Sequence, residues 1–247
     1  MLLVRFTNIT SYNGEASNPK TNNLTHESIL GGSRSDLGEY PFMLALEDQT
    51  HQFCGASAIG KSWAITAAHC LIGFKASMKA RDLELRAGSV IRHRGGSIHP
   101  VKYFIIHHNY DPETQDEDIA LLKVVKKPFS DNPSVRYITL PKQNEAVKPN
   151  IKATVVGWGS TIMDQKSCRN TDAFSSSFAI TKNMLCAASF LKDTRMGDSG
   201  GPMIIGRNSP KLVGITSWGE GTGDLQSPGV YTRVAKYRNW IRMKTGL

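Results

Sequence analysis

The chain has 247 residues, of which 40% are hydrophobic and 21% charged, a composition typical of a soluble globular protein with one large or two small cores. No apolar run approaches the roughly 20 residues of a membrane-spanning helix, so we expect no membrane partner. The formal net charge of +9 indicates a basic surface, but no basic block with interleaved aromatic residues occurs, so we expect no nucleic-acid partner.

Residues 1–28 are predicted to form a leader or propeptide. The opening MLLVRF has only a short apolar run before Arg5, whereas the core of a secretory signal needs roughly 7–15 apolar residues. Residues 11–28 are polar and rich in turn formers, which favours a flexible segment. We therefore expect one folded domain over residues 29–247.

The body of the chain is a series of short apolar segments separated by Gly, Pro or polar residues, which predicts an all-β barrel or sandwich. In chain order they are PFMLALED, FCGASAIG, WAITAAHC, LELRAG, IALLKV, ATVVGW, LVGITSW and GVYTRV. Residues 128–150 contain four prolines among polar residues and are predicted to link two β units. Only the final VAKYRNWIRMK is predicted to be helical, with Val234, Tyr237 and Ile241 along one face.

The four cysteines are spread over two regions and include no CxxC pair, which argues against a zinc site. An even number of cysteines favours two disulfides and therefore an oxidising, extracellular compartment. Four cysteines allow three pairings, so spacing alone leaves the connectivity open.

Three short motifs carry residues suited to nucleophilic catalysis: TAAHC with His69, DEDIALL with Asp118 and GDSGGP with Ser199. Each motif alone has a simpler explanation. A lone histidine is often structural, GDSGG could be a turn, and Asp116 and Glu117 could merely solvate a loop. Together, in this order, they resemble the chymotrypsin/trypsin family of serine proteases. The resemblance runs from Ile29 to the C-terminus and includes ILGG, GWG, SWG and PGVYTRV.

The resemblance implies two six-stranded antiparallel Greek-key barrels with a short C-terminal helix. The first barrel would span about residues 29–140 and the second about 141–247, with one strand possibly lacking from the second. It also implies a catalytic triad of His69 as base, Asp118 as its supporting acid and Ser199 as nucleophile. Asp118 is chosen over Asp116 and Glu117 because the family places its acid directly before IAL.

The resemblance assigns further residues to substrate binding. Backbone N–H groups of Gly197 and Ser199 would form the oxyanion hole. The backbone of Ser217, Trp218 and Gly219 would pair with an extended substrate, and Ser217 would also hydrogen-bond the triad acid. Asp193 at the base of the specificity pocket, with Gly219 and Gly229 leaving its walls open, implies cleavage after Arg or Lys.

Activation, disulfides and partners follow from the same resemblance. A cut before Ile29 would free an amine that pairs with Asp198. The implied disulfides are Cys54–Cys70 and Cys168–Cys186. We expect protein or peptide substrates, proteinaceous inhibitors, a secreted monomer and no cofactor. Residues 85–110 contain no Asp or Glu, so no metal is expected there either.

The sequence departs from the family pattern at three places, of which the first two below favour an alternative function. Arg195 and Thr222 stand where the family commonly has a third disulfide. Only the eight residues STIMDQKS separate GWG from Cys168, where the family has a loop and a complete strand. Ser28, and not Arg or Lys, precedes Ile29. The alternative hypothesis is a catalytically impaired protease homologue that acts as a binding or decoy module.

Overall fold

A computed structural model describes residues 35–72, 78–148, 151–157, 180–187, 198–219 and 229–247, together with two short N-terminal strands, Val4–Arg5 (β1) and Ser33–Arg34 (β2). All neighbouring strands are antiparallel. The helices are short, and none in the described part of the chain is long and apolar enough to cross a membrane.

Six strands close into a barrel in the order β3-β4-β5-β8-β7-β6. They are Met43–Glu47 (β3), Gln52–Gly60 (β4), Trp63–Thr66 (β5), Glu84–Ala87 (β6), Ser97–Ile106 (β7) and Ala120–Val124 (β8). Leu44 and Leu46 of β3 are fully buried because alternate side chains of a strand share one face. Burying each such side chain contributes about 1.5–3 kcal/mol.

The remaining strands form a second sheet of seven, in the order β10-β13-β12-β11-β9-β1-β2. Its other members are Ala153–Gly157 (β9), Met184–Ala187 (β10), Pro202–Ile205 (β11), Lys211–Trp218 (β12) and Gly229–Arg233 (β13). Val4 pairs with Gly157 on one side and with Arg34 on the other. The start of the predicted leader therefore lies inside this sheet, next to β9.

The C-terminus is helical, as the sequence predicts. A 3₁₀ turn at Val234–Lys236 leads into the helix Arg238–Thr245 (α2), and the predicted apolar face at Val234, Tyr237 and Ile241 is buried. Gly246 ends the helix in a left-handed conformation (φ 78°), and its N–H donates to the carbonyl of Arg242. The remaining helical segments are His69–Ile72 (α1) and 3₁₀ turns at Ala80–Asp82 and Phe129–Asp131.

The predicted all-β class, the six-stranded first barrel and the short C-terminal helix are confirmed. The two β units meet where β4 approaches β11. A Cβ atom on Gly55 would lie 2.9 Å from the Cα of Gly201, closer than side-chain carbons normally approach. The Gly55 N–H also donates to the Ser199 carbonyl at 2.7 Å. This contact places the GDSGGP segment against the first barrel.

Candidate active site

His69 begins α1, three residues after the buried end of β5. A disulfide between Cys54 of β4 and Cys70 fixes the start of this helix to the barrel. The imidazole keeps about a quarter of its surface exposed, with the side chain 24% accessible. One edge of the ring is therefore held by the fold while part of it stays open to solvent.

Asp118 is completely buried at the entrance to β8, and its carboxylate accepts three hydrogen bonds. The backbone N–H of His69 donates to its Oδ1 at 2.9 Å, and His69 Nδ1 lies 2.7 Å from its Oδ2. Ser217 of β12 donates its hydroxyl to the same Oδ2 at 2.5 Å. A carboxylate removed from water is costly to bury unless donors of this kind replace the lost hydration. Residues from both β units thus meet at one buried charge.

The Asp118 carboxylate controls the charge state of His69. Burial by itself lowers the pKa of the imidazole, but the charge of Asp118 and the hydrogen bond to it outweigh this effect, so the pKa of His69 is raised above its usual 6.5. Because Nδ1 faces the carboxylate, the neutral ring carries its proton there and leaves Nε2 as an acceptor.

Ser199 lies in a tight turn that packs against the histidine segment. The Gly200 N–H donates to the Thr216 carbonyl at 2.8 Å, and the Thr216 N–H donates to the Gly201 carbonyl at 2.9 Å. These bonds fasten the turn beside Ser217. Among the described residues, the Ser199 hydroxyl makes no hydrogen bond to His69. Such bonds are often long in substrate-free enzymes and shorten in the complex.

Gly200 is the position in this turn that requires glycine. Its φ of +78° lies in the left-handed region, and a Cβ atom there would lie 2.1 Å from Thr66 Oγ1 and 2.4 Å from the Gly55 carbonyl oxygen. The absence of a side chain lets the turn touch the end of β5, three residues before His69.

The predicted substrate-binding residues lie at the end of this sheet. Ser217 is buried, Trp218 is half-buried and Gly219 is exposed at the end of β12. Trp218 pairs with Val230, so the buried Gly229 at the start of β13 is close to the end of β12. An exposed strand end of this kind is suited to pairing with an extended peptide.

Asp198, the predicted partner of the Ile29 amine, is buried. Burial lowers the pKa of Arg92, and the negative charge of Asp198 opposes that shift, so the two groups are close enough to interact. Arg92 belongs to the loop between β6 and β7. In the uncut chain a cation thus already acts on the Asp198 carboxylate.

Several predicted residues lie outside the described part of the chain. These are Asp193 of the specificity pocket, Gly197 of the oxyanion hole, Ile29, Cys168, Arg195, Thr222 and the STIMDQKS segment. Cys186 lies buried in β10. Cys54, His69 and Cys70 bring ligand-type atoms within 4.8 Å of one another, but both sulfurs belong to the disulfide and cannot hold a metal.

Sequence reasoning missed residues that contact the turn carrying Asp118. Thr232 of β13 donates its hydroxyl to the Asp118 carbonyl at 2.6 Å. Asp116 and Glu117 are only partly exposed and hydrogen-bond residues just before β10. The one feature of the sequence that could have indicated these contacts is the run of three acids, 116–118, before a buried strand. Adjacent carboxylates repel each other unless each one has its own hydrogen-bond partners.

Comparison with known proteins shows which proteins the chain is similar to. The family model described as Trypsin matches residues 29–241. The chain is 34% identical to Trypsin from Phaedon cochleariae over 93% of both chains, and 35% identical to Trypsin epsilon from Drosophila erecta over 86% of both. It is also 34% identical to human Transmembrane protease serine 11B, over 91% of this chain and 57% of that protein.

Proposed function

The chain belongs to the trypsin family of serine proteases, and on that premise we propose that it is a secreted endopeptidase that cleaves peptide bonds after Arg or Lys. The observation that best supports this proposal is the buried Asp118 carboxylate, which accepts hydrogen bonds from His69 and Ser217. The alternative of an impaired homologue is not favoured, because the chain resembles trypsins over most of its length.

The proposed reaction begins with attack by Ser199. Its Oγ adds to the substrate carbonyl carbon while His69 Nε2 accepts the hydroxyl proton. Asp118 stabilises the resulting imidazolium and keeps the ring oriented. The backbone N–H groups of Gly197 and Ser199 would stabilise the oxyanion. His69 then returns the proton to the leaving amine, and a water molecule hydrolyses the acyl-enzyme by the same steps.

The proposed specificity depends on Asp193, Gly219 and Gly229. A carboxylate at the base of a closed pocket favours a cationic side chain, because an apolar one would leave the charge unpaired. Gly219 and Gly229 carry no side chains that would shorten the pocket. The backbone of Ser217, Trp218 and Gly219 would bind the substrate as an added strand.

The proposed activation is a cut between Ser28 and Ile29. The new amine of Ile29 would pair with Asp198 and organise the oxyanion hole. It would have to compete with Arg92 for the Asp198 carboxylate.

Labelling with a fluorophosphonate probe tests this proposal, because the probe reacts only with an activated serine. The protein cut before Ile29 should label and should hydrolyse Arg and Lys peptides at least about a hundredfold faster than Phe peptides, since a mispaired buried charge costs several kcal/mol. Ser199→Ala should abolish labelling, whereas the exposed-site control Ser209→Ala should not. Asp193→Ser should remove the preference for basic residues. An unlabelled wild-type protein, or equal turnover of Phe peptides, would refute the proposal.

A further inference from the structure

Two acids precede Asp118 on the turn that enters β8, and both point toward the second sheet. Asp116 and Glu117 are partly buried, and Glu117 keeps only 20% of its side chain accessible. Their partners lie in the segment just before β10. This turn is therefore a contact between the two β units and not a solvated loop.

Asp116 accepts hydrogen bonds from two side chains of that segment. The Thr181 hydroxyl donates to Oδ1 at 2.8 Å, and Asn183 Nδ2 lies 3.3 Å from both carboxylate oxygens. The backbone N–H of Glu117 also donates to Asp116 Oδ1 at 3.0 Å. One carboxylate thus binds its own turn and the opposite unit together.

Glu117 shares Asn183 as a partner. Asn183 Nδ2 donates to Oε1 at 3.0 Å, and His107 Nδ1 lies 3.1 Å from Oε2. Burial and the neighbouring His108 lower the pKa of His107 to about 4, so the ring is neutral at neutral pH and this contact is not an ion pair. Asn183 is itself held in place, because its carbonyl accepts the Arg233 N–H of β13 at 2.8 Å.

The backbone of Glu117 transmits these contacts to Asp118. Glu117 has a left-handed φ of +58°, and its carbonyl accepts the Ile119 N–H at 2.8 Å across Asp118. Asp118 is the central residue of that small loop. A shift of Glu117 must therefore move the Asp118 carboxylate relative to His69.

We infer that Glu117 and Asn183 are positioning residues for the proposed triad: they join the Asp118 turn to the second sheet and so set the distance between the Asp118 carboxylate and His69. This inference rests on the proposed function. The Glu117 carboxylate also interacts with Tyr237, His108 and Lys182, and with the neighbouring carboxylate of Asp116. Burial, with help from the charge of Asp116, raises the pKa of Glu117 despite the opposing effects of Tyr237, His108 and Lys182.

The test combines kinetics with an NMR titration of His69 over the variants Asn183→Ala, Glu117→Ala and Glu117→Gln. A displacement of about 1 Å at a catalytic group costs about a hundredfold in rate. We expect kcat to fall about 10- to 100-fold in the two alanine variants, with KM changed less than about twofold. Glu117→Gln should recover much of the loss, because its amide oxygen still accepts from Asn183. Glu113→Ala is the matched control, since Glu113 is an exposed acid of the same turn.

The NMR titration is recorded in the inactive Ser199→Ala background, so its result does not depend on catalysis. In the alanine variants the pKa of His69 should fall toward 6.5, because a displaced Asp118 stabilises the imidazolium less. An unchanged His69 pKa in both alanine variants overturns the inference, even if stability and kcat decrease. If wild-type protein does not react with the probe while the His69 pKa still falls, the proposed function fails and the positioning role stands. If Glu117→Ala does not fold, Asn183→Ala decides alone: an unchanged His69 pKa in that variant overturns the inference.

Discussion

At the scale of single residues, the protonation of His69 connects structure with activity. Attack by Ser199 needs a neutral imidazole, so kcat/KM should fall as the pH decreases through the pKa of His69. Because that pKa is raised, the acidic limb of the profile should lie above pH 6.5.

Asp118→Asn should shift the acidic limb to lower pH, since both effects that raise the pKa of His69 come from the Asp118 carboxylate. It should also lower kcat by about 10⁴-fold, the size of loss that trypsin-like enzymes show for this change. The exposed Asp131→Asn serves as control and should leave the limb in place. An acidic limb that stays at the same pH in Asp118→Asn would contradict this assignment.

The pH dependence of folding stability has the opposite sign to that of activity. Protonated His69 stabilises the fold fully below pH 6.5, and this contribution is lost as the pH rises through the pKa of His69 in the folded protein.

A second residue-scale prediction concerns the close contact at Gly200. Gly200→Ala should destabilise the protein by about 1–3 kcal/mol through its left-handed backbone and by a similar amount through overpacking against Thr66 and Gly55. Gly38→Ala is the control, because Gly38 has a similar φ of +85° but a Cβ atom there would meet nothing within 4 Å. Urea unfolding measures the difference. Equal losses in the two variants would show that the contact with β5 adds nothing.

The sequence motifs predict which residues meet at the site, but not what holds them there. His69, Asp118 and Ser217 are recognisable because the chemistry requires those residue types in that order. The partners of Glu117 are not recognisable, because Asn183 and His107 are 66 and 10 residues away from it in the sequence, and an amide or imidazole carries no pattern of its own.

At the scale of elements, β1 is one of several strands that the sequence analysis did not predict; the others are β2, β7, β10 and β11. A strand of two residues is too short to show an alternation of apolar and polar side chains. The partners of Val4 are Gly157 and Arg34, which are far away in the chain. The strand lies beside β9, whose sequence leads directly into the unusually short STIMDQKS span. The predicted segments of the first barrel were recognisable because they are short, largely buried apolar runs, whereas β1 is held by pairing with distant backbone.

Removing residues 1–5 should therefore loosen β9. The amide protons at the end of β9, at Val156 and Gly157, should exchange faster with solvent, because an edge without its neighbour loses backbone hydrogen bonds. The amides of β5 in the closed barrel provide an internal control and should exchange at unchanged rates. Hydrogen exchange with mass spectrometry measures both in one sample. Unchanged protection at β9 would show that the pairing with β1 contributes little.

At the scale of the whole molecule, the site exists only where the two β units touch. His69 and Asp118 come from the first barrel, while Ser199 and Ser217 belong to the second sheet. The family resemblance predicts which unit supplies each of these residues, because that assignment follows from the order of the motifs along the chain. The close approach of Gly55 and Gly201 depends on three-dimensional packing, and no local pattern indicates which glycines must be in contact.

The place of β1 between β9 and β2 has a consequence for the proposed activation. A cut between Ser28 and Ile29 breaks the covalent connection from β1 to β2, but it does not remove β1 from the sheet. The activated protein would then be a complex of two chains, whose association depends on concentration. Dilution or a competing synthetic peptide of the sequence MLLVRFT would shift that equilibrium, and the lifetime of the active form would follow the dissociation rate of its own former leader.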